Sequence, residues 1–304
     1  MKKNIYLVLL AAMMLFAPSS RAQLLYKISG KDLNKASYIV GTFHLANASF
    51  AEKITGIGEA MANTEQVYGE VNFDDALNPD STRILSSMQF LPEGQTLKSI
   101  LTEEQFNKLD AFSASIFGIG IGNDLLFSQM GKMTPAAIFN TLTVMMYLKK
   151  SPDKLDPQNL IDNYFQRQAK DAGKDIGGFE TISYQANVVF GSKSMERDIE
   201  LLMCLVDNGD IYEEINEELV NAYYSQDIEA VEKAVNYEFA NKCDATPEEK
   251  DILINNRNVN WCDMMPAIMK EKSTLFVVGA GHLPGERGVL QLLRNAGYTV
   301  EGVK

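Results

Sequence analysis

The chain has 304 residues, with 28 Lys and Arg against 40 Asp and Glu, and a formal net charge of −12. Hydrophobic residues at 46% and charged residues at 22% sit near the globular norm, which excludes a disordered chain, a collagen and a coiled-coil rod. The acidic balance argues against a nucleic-acid partner, since that affinity comes mainly from Lys and Arg neutralising phosphates.

Residues 1–22 read as a secretory signal. Lys2 and Lys3 form a positive start, Ile5 to Phe16 an apolar stretch, and Ser20-Arg21-Ala22 a small-residue cleavage site that leaves Gln23 as the new N-terminus. Twelve residues span only about 18 Å as a helix, too little for a membrane core of ~30 Å. No later stretch reaches the ~18 apolar residues of a spanning helix. The expectation is an exported protein, periplasmic or extracellular, with no membrane span in the mature chain.

Leu24–Ile28 and Tyr38–Thr42 are rich in strand formers and flank the turn-rich Ser29–Lys35, a hairpin pattern. Ala51–Ala62 reads as an amphipathic helix and Gln66–Phe73 as a strand. From about Ser81 to Ala240 the pattern is helical, with one start at Thr102-Glu103-Glu104, a helix over Pro135–Lys150, another over Leu160–Ala172 stopped by Gly173, and two more within Glu213–Tyr237. Thr246-Pro247-Glu248-Glu249 is a further start, with a capping hydroxyl, proline at N1 and early acids. Ser273–Val278 is a compact apolar strand and Gly279–Leu283 a loop. Pro284 opens a helix that Gly297 ends, Glu286 caps its first turn, and Tyr298–Val303 is the last strand. Strand, helix, strand at this spacing predicts a parallel crossover. The fold class expected is α/β: a central mixed sheet built from N- and C-terminal segments, residues 23–304 forming one domain with a large helical insertion at about 81–240.

Three cysteines cannot all pair within one chain, and none lies in a Cys-x-x-Cys. Cys243 with Cys262 is the expected bridge, provided that the helix starting at Pro247 breaks near Asn255–Asn258; an unbroken helix leaves the two Cα atoms about 8 Å apart, beyond the ~7 Å that a bridge tolerates. Cys204, within Leu201–Val206, reads as a buried free thiol.

Both histidines lie in Gly-x-x-His motifs, Gly41–His44 and Gly279–His282, each directly after an apolar strand. Sites in open α/β sheets form beyond the carboxyl ends of strands, and glycine there allows sharp turns and close approach. His282 also precedes an expected helix N-terminus, whose positive end favours the neutral imidazole that ligation or base catalysis needs. Glu70, inside the strand Val67–Val71, is costly to bury unless paired or bound to a cation. Glu180, Gln185 and Arg257 are the candidate substrate-binding residues. Gly118–Gly122 lacks the spacing and setting of a dinucleotide loop, the Met-rich stretch around Met130 and Met146 reads as core, and neither Gly-x-Ser-x-Gly nor His-Glu-x-x-His occurs.

Leu24–Gly30, Ser37–His44, Arg257-Asn258 with Trp261, and Val278–Glu286 with Gly288-Val289 resemble the TraB/GumN family. The two end motifs are specific and the helical middle is loose; Tyr26 stands where the family more often has Trp. The resemblance implies kinship with the TIKI metalloproteases, whose paired Gly-x-x-His motifs and a glutamate map to His44, Glu70 and His282. It also implies the α/β core with helical elaboration of the erythromycin esterase and ChaN-like fold. The reading is a metal-dependent hydrolase acting as a peptidase, with a divalent ion on His44, Glu70 and His282. A site with two imidazoles needs oxygen ligands, which shifts the expected ion from zinc to manganese or another first-row metal. Two alternatives stand beside it. One is a metal-independent esterase-like hydrolase in which His44 is the base and Glu70 orients it. The other is a non-catalytic protein that sequesters a peptide or small ligand.

Overall fold

The computed structural model describes residues 23–76, 78–150, 156 and 159–304; the expected signal segment lies outside them. Six strands form one sheet: β1 (Leu25–Ser29), β2 (Ser37–Thr42), β3 (Gln66–Val71), β4 (Asp175–Glu180), β5 (Thr274–Gly279) and β6 (Thr299–Gly302). Their order is β4-β3-β5-β2-β1-β6. β4, β3, β5 and β2 run parallel, while β1 is antiparallel to both β2 and β6. The α/β class and mixed sheet are as expected, and so is the β1–β2 hairpin. β5 and β6 point the same way, as the crossover requires, but β2 and β1 lie between them.

The central strands are apolar on both faces. Every residue of β2 is buried, as are the first five of β5, the pattern of parallel strands covered on both sides. Helices cover them with single stripes. Ile161, Phe165 and Ala169 of the Ile161–Asp171 helix are buried at four-residue spacing. In the Asn256–Glu271 helix the buried stripe is Arg257, Trp261, Met265 and Met269. A cation therefore heads an apolar row.

The helical middle has a core of its own, with Leu109, Leu142, Leu202 and Leu205 fully buried and Met130 and Met146 packed among them. That places both methionines in the core, as their pattern predicts.

Four expectations are corrected. The helical middle contains a strand: β4, Asp-Ile-Gly-Gly-Phe-Glu, is masked by two poor strand formers. A Cβ on Gly177 would meet the Tyr68 ring at 2.4 Å and one on Gly178 the Asn72 backbone nitrogen at 2.2 Å; these glycines exist because β3 presses against them. Ala51–Ala62 is not one helix but a 3-10 segment, Ala48–Lys53, and the Ile57–Asn63 helix, separated at Gly56 with φ +78°. The last helix runs Val289–Asn295 and does not start at Pro284, so Glu286 caps nothing; Gly285 turns at φ +88°, and a Cβ on Gly288 would lie 1.9 Å from the Pro284 carbonyl oxygen.

The fourth correction is the disulfide. Cys204 pairs with Cys243, Cα–Cα 5.6 Å, and Cys262 is the free thiol. The reason is the helical condition itself. From Pro247 to Glu271 the backbone stays helical, passing through a π segment at Asp251–Asn255 without a break, so it carries Cys262 away. Burial of Cys262 pushes its thiol pKa up to about 12, leaving it inert. The Cys204–Cys243 bridge ties the Met195–Asp207 helix to the segment after the Ile228–Val235 helix and fits an oxidising compartment. Among the described residues no helix is long and apolar enough to cross a membrane.

Candidate functional site

The carboxyl ends of the four parallel strands share one edge of the sheet. Register fixes their heights: Thr42 pairs with Gly279, Gly69 with Val277, and Val71 with Glu180. His44, Glu70, Glu180 and His282 thus leave or end adjacent strands at one edge. The glycines of the two motifs allow the strands to meet closely. A Cβ on Gly41 would lie 2.9 Å from the Ala280 Cα, and one on Gly279 would lie 3.3 Å from Glu70 Oε1. The bare Gly279 N–H instead donates to that oxygen at 2.7 Å.

Glu70 is 12% exposed, with both oxygens occupied. Besides the Gly279 N–H, Oε2 accepts from Arg257 Nη2 at 2.7 Å and from Gln185 Nε2 at 2.9 Å. Arg257 is the hub. Its Nε and Nη2 donate to the two oxygens of Glu180, each at 2.9 Å, a bidentate pair. Its Nη1 donates to the Leu253 carbonyl at 3.0 Å and lies 3.1 Å from His282 Nε2. Trp261 packs its ring 4.9 Å beneath the guanidinium and donates from Nε1 to Glu180 Oε1 at 2.9 Å. A π segment, Asp251–Asn255, directly precedes the helix that carries Arg257, and its Leu253 carbonyl accepts from the guanidinium; such bulges recur at functional sites.

The tautomer of His282 follows from its partners. Asn258 Nδ2 donates to the Arg287 carbonyl, so its Oδ1 faces His282 Nδ1 at 2.7 Å and accepts the proton there. Nε2 is then a lone pair, and it accepts from Arg257. Burial pushes the His282 pKa down to about 4, with Glu70 opposing and Arg257 and His44 assisting. The imidazole is neutral because it is buried, rather than because a helix N-terminus follows it. Burial works against ionisation of Glu70 as well, but the imidazoles, Arg257 and the Gly279 N–H outweigh it and hold the carboxyl down at about 2. Since His282 is neutral at pH 7, the counter-charges of Glu70 there are the His44 imidazolium and Arg257, of which Arg257 is in direct contact.

His44 is the opposite case. Its side chain is 72% exposed, although protein surrounds it at longer range. Nδ1 lies 2.9 Å from Asp162 Oδ2, and Thr42 donates to the other Asp162 oxygen at 2.5 Å. The Asp162 carboxylate raises the His44 pKa, to about 9, against the cost of burial. His44, Asp162, Glu70 and Gln185 line one cavity of about 180 Å³. His44 and His282 act electrostatically on each other and both on Glu70, but they face different surroundings.

Of the three expected substrate-binding residues only Gln185 lines this cavity; Arg257 and Glu180 lie buried behind it. Asp162 joins the site without having been singled out from the sequence, and Thr42 and Asn258, which stood there only within motifs, join it as hydrogen-bonding partners. Asp162 stands in the first turn of its helix, where acids are common, and nothing local links it to His44 across 118 residues.

A divalent ion on His44, Glu70 and His282 would need free lone pairs on all three. Among the described residues no group of three His, Cys, Asp or Glu side chains is placed to hold one. The guanidinium of Arg257 already takes the His282 Nε2 lone pair and a Glu70 oxygen, so an ion there would face a fixed cation at contact distance. In this arrangement the residues do not fit a divalent metal.

Comparison with known proteins gives the family. The model of the TraB/PrgY/gumN family matches residues 24–302, and the chain belongs to that family. It is similar to the metalloprotease TIKI2 of Danio rerio, 22% identical over 87% of this chain and 58% of the relative. The human metalloprotease TIKI1 is 23% identical over 87% of this chain and 59% of its own length. The chain thus spans less than two thirds of these relatives.

Proposed function

We propose that this TraB/PrgY/gumN member is an exported hydrolase that cleaves peptide bonds, with His44 moving the proton. Export rests on the charged, apolar, small-residue order of residues 1–22 and on the Cys204–Cys243 bridge. Peptide substrates rest on the relatives named metalloproteases.

The observation that carries the reading is the His44–Asp162 pair at the mouth of a cavity floored by Glu70. A carboxylate on Nδ1 leaves Nε2 as the acid–base nitrogen and stabilises the imidazolium formed when it accepts a proton. His44 takes a proton from water as the oxygen attacks the scissile carbonyl, then passes it to the departing amine. Glu70, held ionised from behind, stabilises the same imidazolium through space. Arg257, Glu180 and His282 are positioning residues for Glu70. A cavity of about 180 Å³ is smaller than the roughly 300–1,000 Å³ that encloses a drug-sized ligand. It accepts one reacting group while the rest of a chain lies outside, which suits an extended peptide.

The test is incubation of the mature chain with a peptide library under three conditions: untreated, with chelator and with added manganese. Cleavage that survives chelator and disappears in His44→Ala is the expected result. Cleavage only with manganese would replace the metal-free chemistry with an ion-dependent one on the same residues. Retention of intact peptide would indicate sequestration.

A further inference from the structure

The cavity that His44 and Asp162 share carries two further polar side chains that the proton transfer does not use, Asn163 and Gln185, both half-buried. Gln185 is committed at one end only. Its Nε2 donates to Glu70 Oε2 at 2.9 Å and to Glu180 Oε2 at 3.1 Å. Two carboxylates require the NH2 end there, which fixes the amide flip and turns Oε1 the other way. That oxygen accepts no hydrogen bond among the described residues, yet it is not sealed from solvent.

Asn163 follows Asp162 in the first turn of the Ile161–Asp171 helix. Its neighbours are anchored: Asp162 on Thr42 and His44, Tyr164 on Glu52, and Phe165 in the core. The backbone beneath Asn163 is thereby fixed. Its side-chain amide, by contrast, has no partner among the described residues and is also open to a ligand.

One free donor and one free acceptor beside an acid–base nitrogen match a secondary amide, which offers one carbonyl oxygen and one N–H. We propose that Asn163 Nδ2 donates to the carbonyl oxygen of the scissile bond and that Gln185 Oε1 accepts its N–H, so that the site selects peptide amides over esters. The assignment rests on the hydrolase reading above and deepens it. As a water oxygen bonds to the carbonyl carbon, the C=O π pair moves onto the oxygen that Asn163 holds, and His44 takes the water proton. When that pair returns, the C–N bond breaks with its electrons on nitrogen, which receives the proton from His44. Asn163 thus acts most strongly on the charged intermediate, as an oxyanion donor does. Gln185 sorts substrates instead. An ester has oxygen in place of the N–H and meets Oε1 lone pair to lone pair, a mismatch that a hydrogen-bonding site rejects.

The experiment measures kcat and KM of the full mature chain on peptides and on depsipeptides of the same sequence, whose scissile N–H is replaced by oxygen. In the unaltered protein the depsipeptide KM should be about tenfold the higher, the worth of one hydrogen bond. Gln185→Met should erase that difference. Weakened support of Glu70 would slow both substrates alike, so the ratio reads the direct contact. Asn163→Ala should lower kcat on both substrates by about 10²-fold with KM nearly unchanged, the lower end for a lost oxyanion donor. It should melt like the parent, because no bond within the protein is lost. A parent that cleaves peptides with no KM difference between the two substrates, or an Asn163→Ala variant that keeps pace with it, overturns the assignment and leaves the hydrolase reading standing. A parent that cleaves neither substrate overturns both.

Discussion

Two Gly-x-x-His turns leave neighbouring parallel strands, β2 and β5, and end in opposite electrostatic states. His282 is 5% exposed, held between Asn258 and Arg257, and neutral. His44 is open to water and held by Asp162, which favours its charged form. The motif fixes where each imidazole emerges, because glycine lets the strand ends approach and turn. The partner fixes what the imidazole can do. A donor guanidinium uses up a lone pair and makes a structural strut, whereas an acceptor carboxylate leaves the far nitrogen free for proton transfer.

The largest expected effect breaks the pair at its exposed member. His44→Ala should lower peptide turnover by about 10²–10⁴-fold, the range for a lost general acid–base. Stability should change by less than about 0.5 kcal/mol, because an exposed side chain is lost. His282→Ala should destabilise as well as inactivate, since it strands Arg257 and Asn258. Paired denaturant melts and rate assays check this; two variants that behave alike would refute the division of roles.

Next in size is Arg257→Met. It removes the one cation between two buried carboxylates, Glu70 and Glu180, and breaking such a pair costs about 3–5 kcal/mol. The same change frees the His282 Nε2 lone pair, so the variant should bind manganese more tightly than the parent if the guanidinium is what bars an ion. A denaturation curve and a metal titration on one sample read both effects. Unchanged stability would show that Arg257 is no hub.

How much of this was legible in the sequence follows the same division. The strand ends were, because β2 and β5 are apolar runs that stop at glycine, and Glu70 is conspicuous within a strand. The partners were legible only in part. Arg257 stood out as a candidate binding residue with Asn258 beside it in the motif, but nothing in the sequence paired them with His282, and Asp162 reaches His44 from a distant helix. β4 was hidden because the close approach of β3 demands two glycines where a strand would normally show branched residues. The disulfide was misassigned for a related reason. Its geometry depends on whether one helix breaks, and the Asn-rich stretch that suggests a break is accommodated by the π segment.

The third prediction sharpens the comparison by titration. The chain has only two histidines, so imidazole NMR resolves each without crowding. His44 should titrate well above 6.5, toward about 9, and His282 well below, toward about 4. With His44 as the proposed base, the activity limb should rise with pH as its imidazolium loses a proton. Asp162→Asn removes the carboxylate and should move both the NMR titration and the limb down toward the ordinary histidine value. A limb that stays in place assigns the proton transfer to another group.

The smallest effects are those of the two histidines on stability, and they carry opposite signs. His282 has a folded pKa below its unfolded value of 6.5, so the unfolded chain binds the extra proton first. Its contribution is fully present above pH 6.5 and is lost as pH falls toward about 4. Glu70, depressed from 4.5 to about 2, extends that loss below pH 4.5. His44 runs the other way: its folded pKa is raised, so its contribution is present below 6.5 and fades as pH rises through about 9. That alkaline loss should be slight, because solvent screens an ion pair whose imidazole is 72% exposed. Urea midpoints from pH 4 to 9 should therefore fall more on the acid side than on the alkaline side. His282→Gln should flatten the acid slope between pH 6.5 and 4, since glutamine occupies the pocket without a proton to gain. His44→Gln should leave that slope intact. An acid slope that survives His282→Gln would mean that the buried imidazole is not the group being charged.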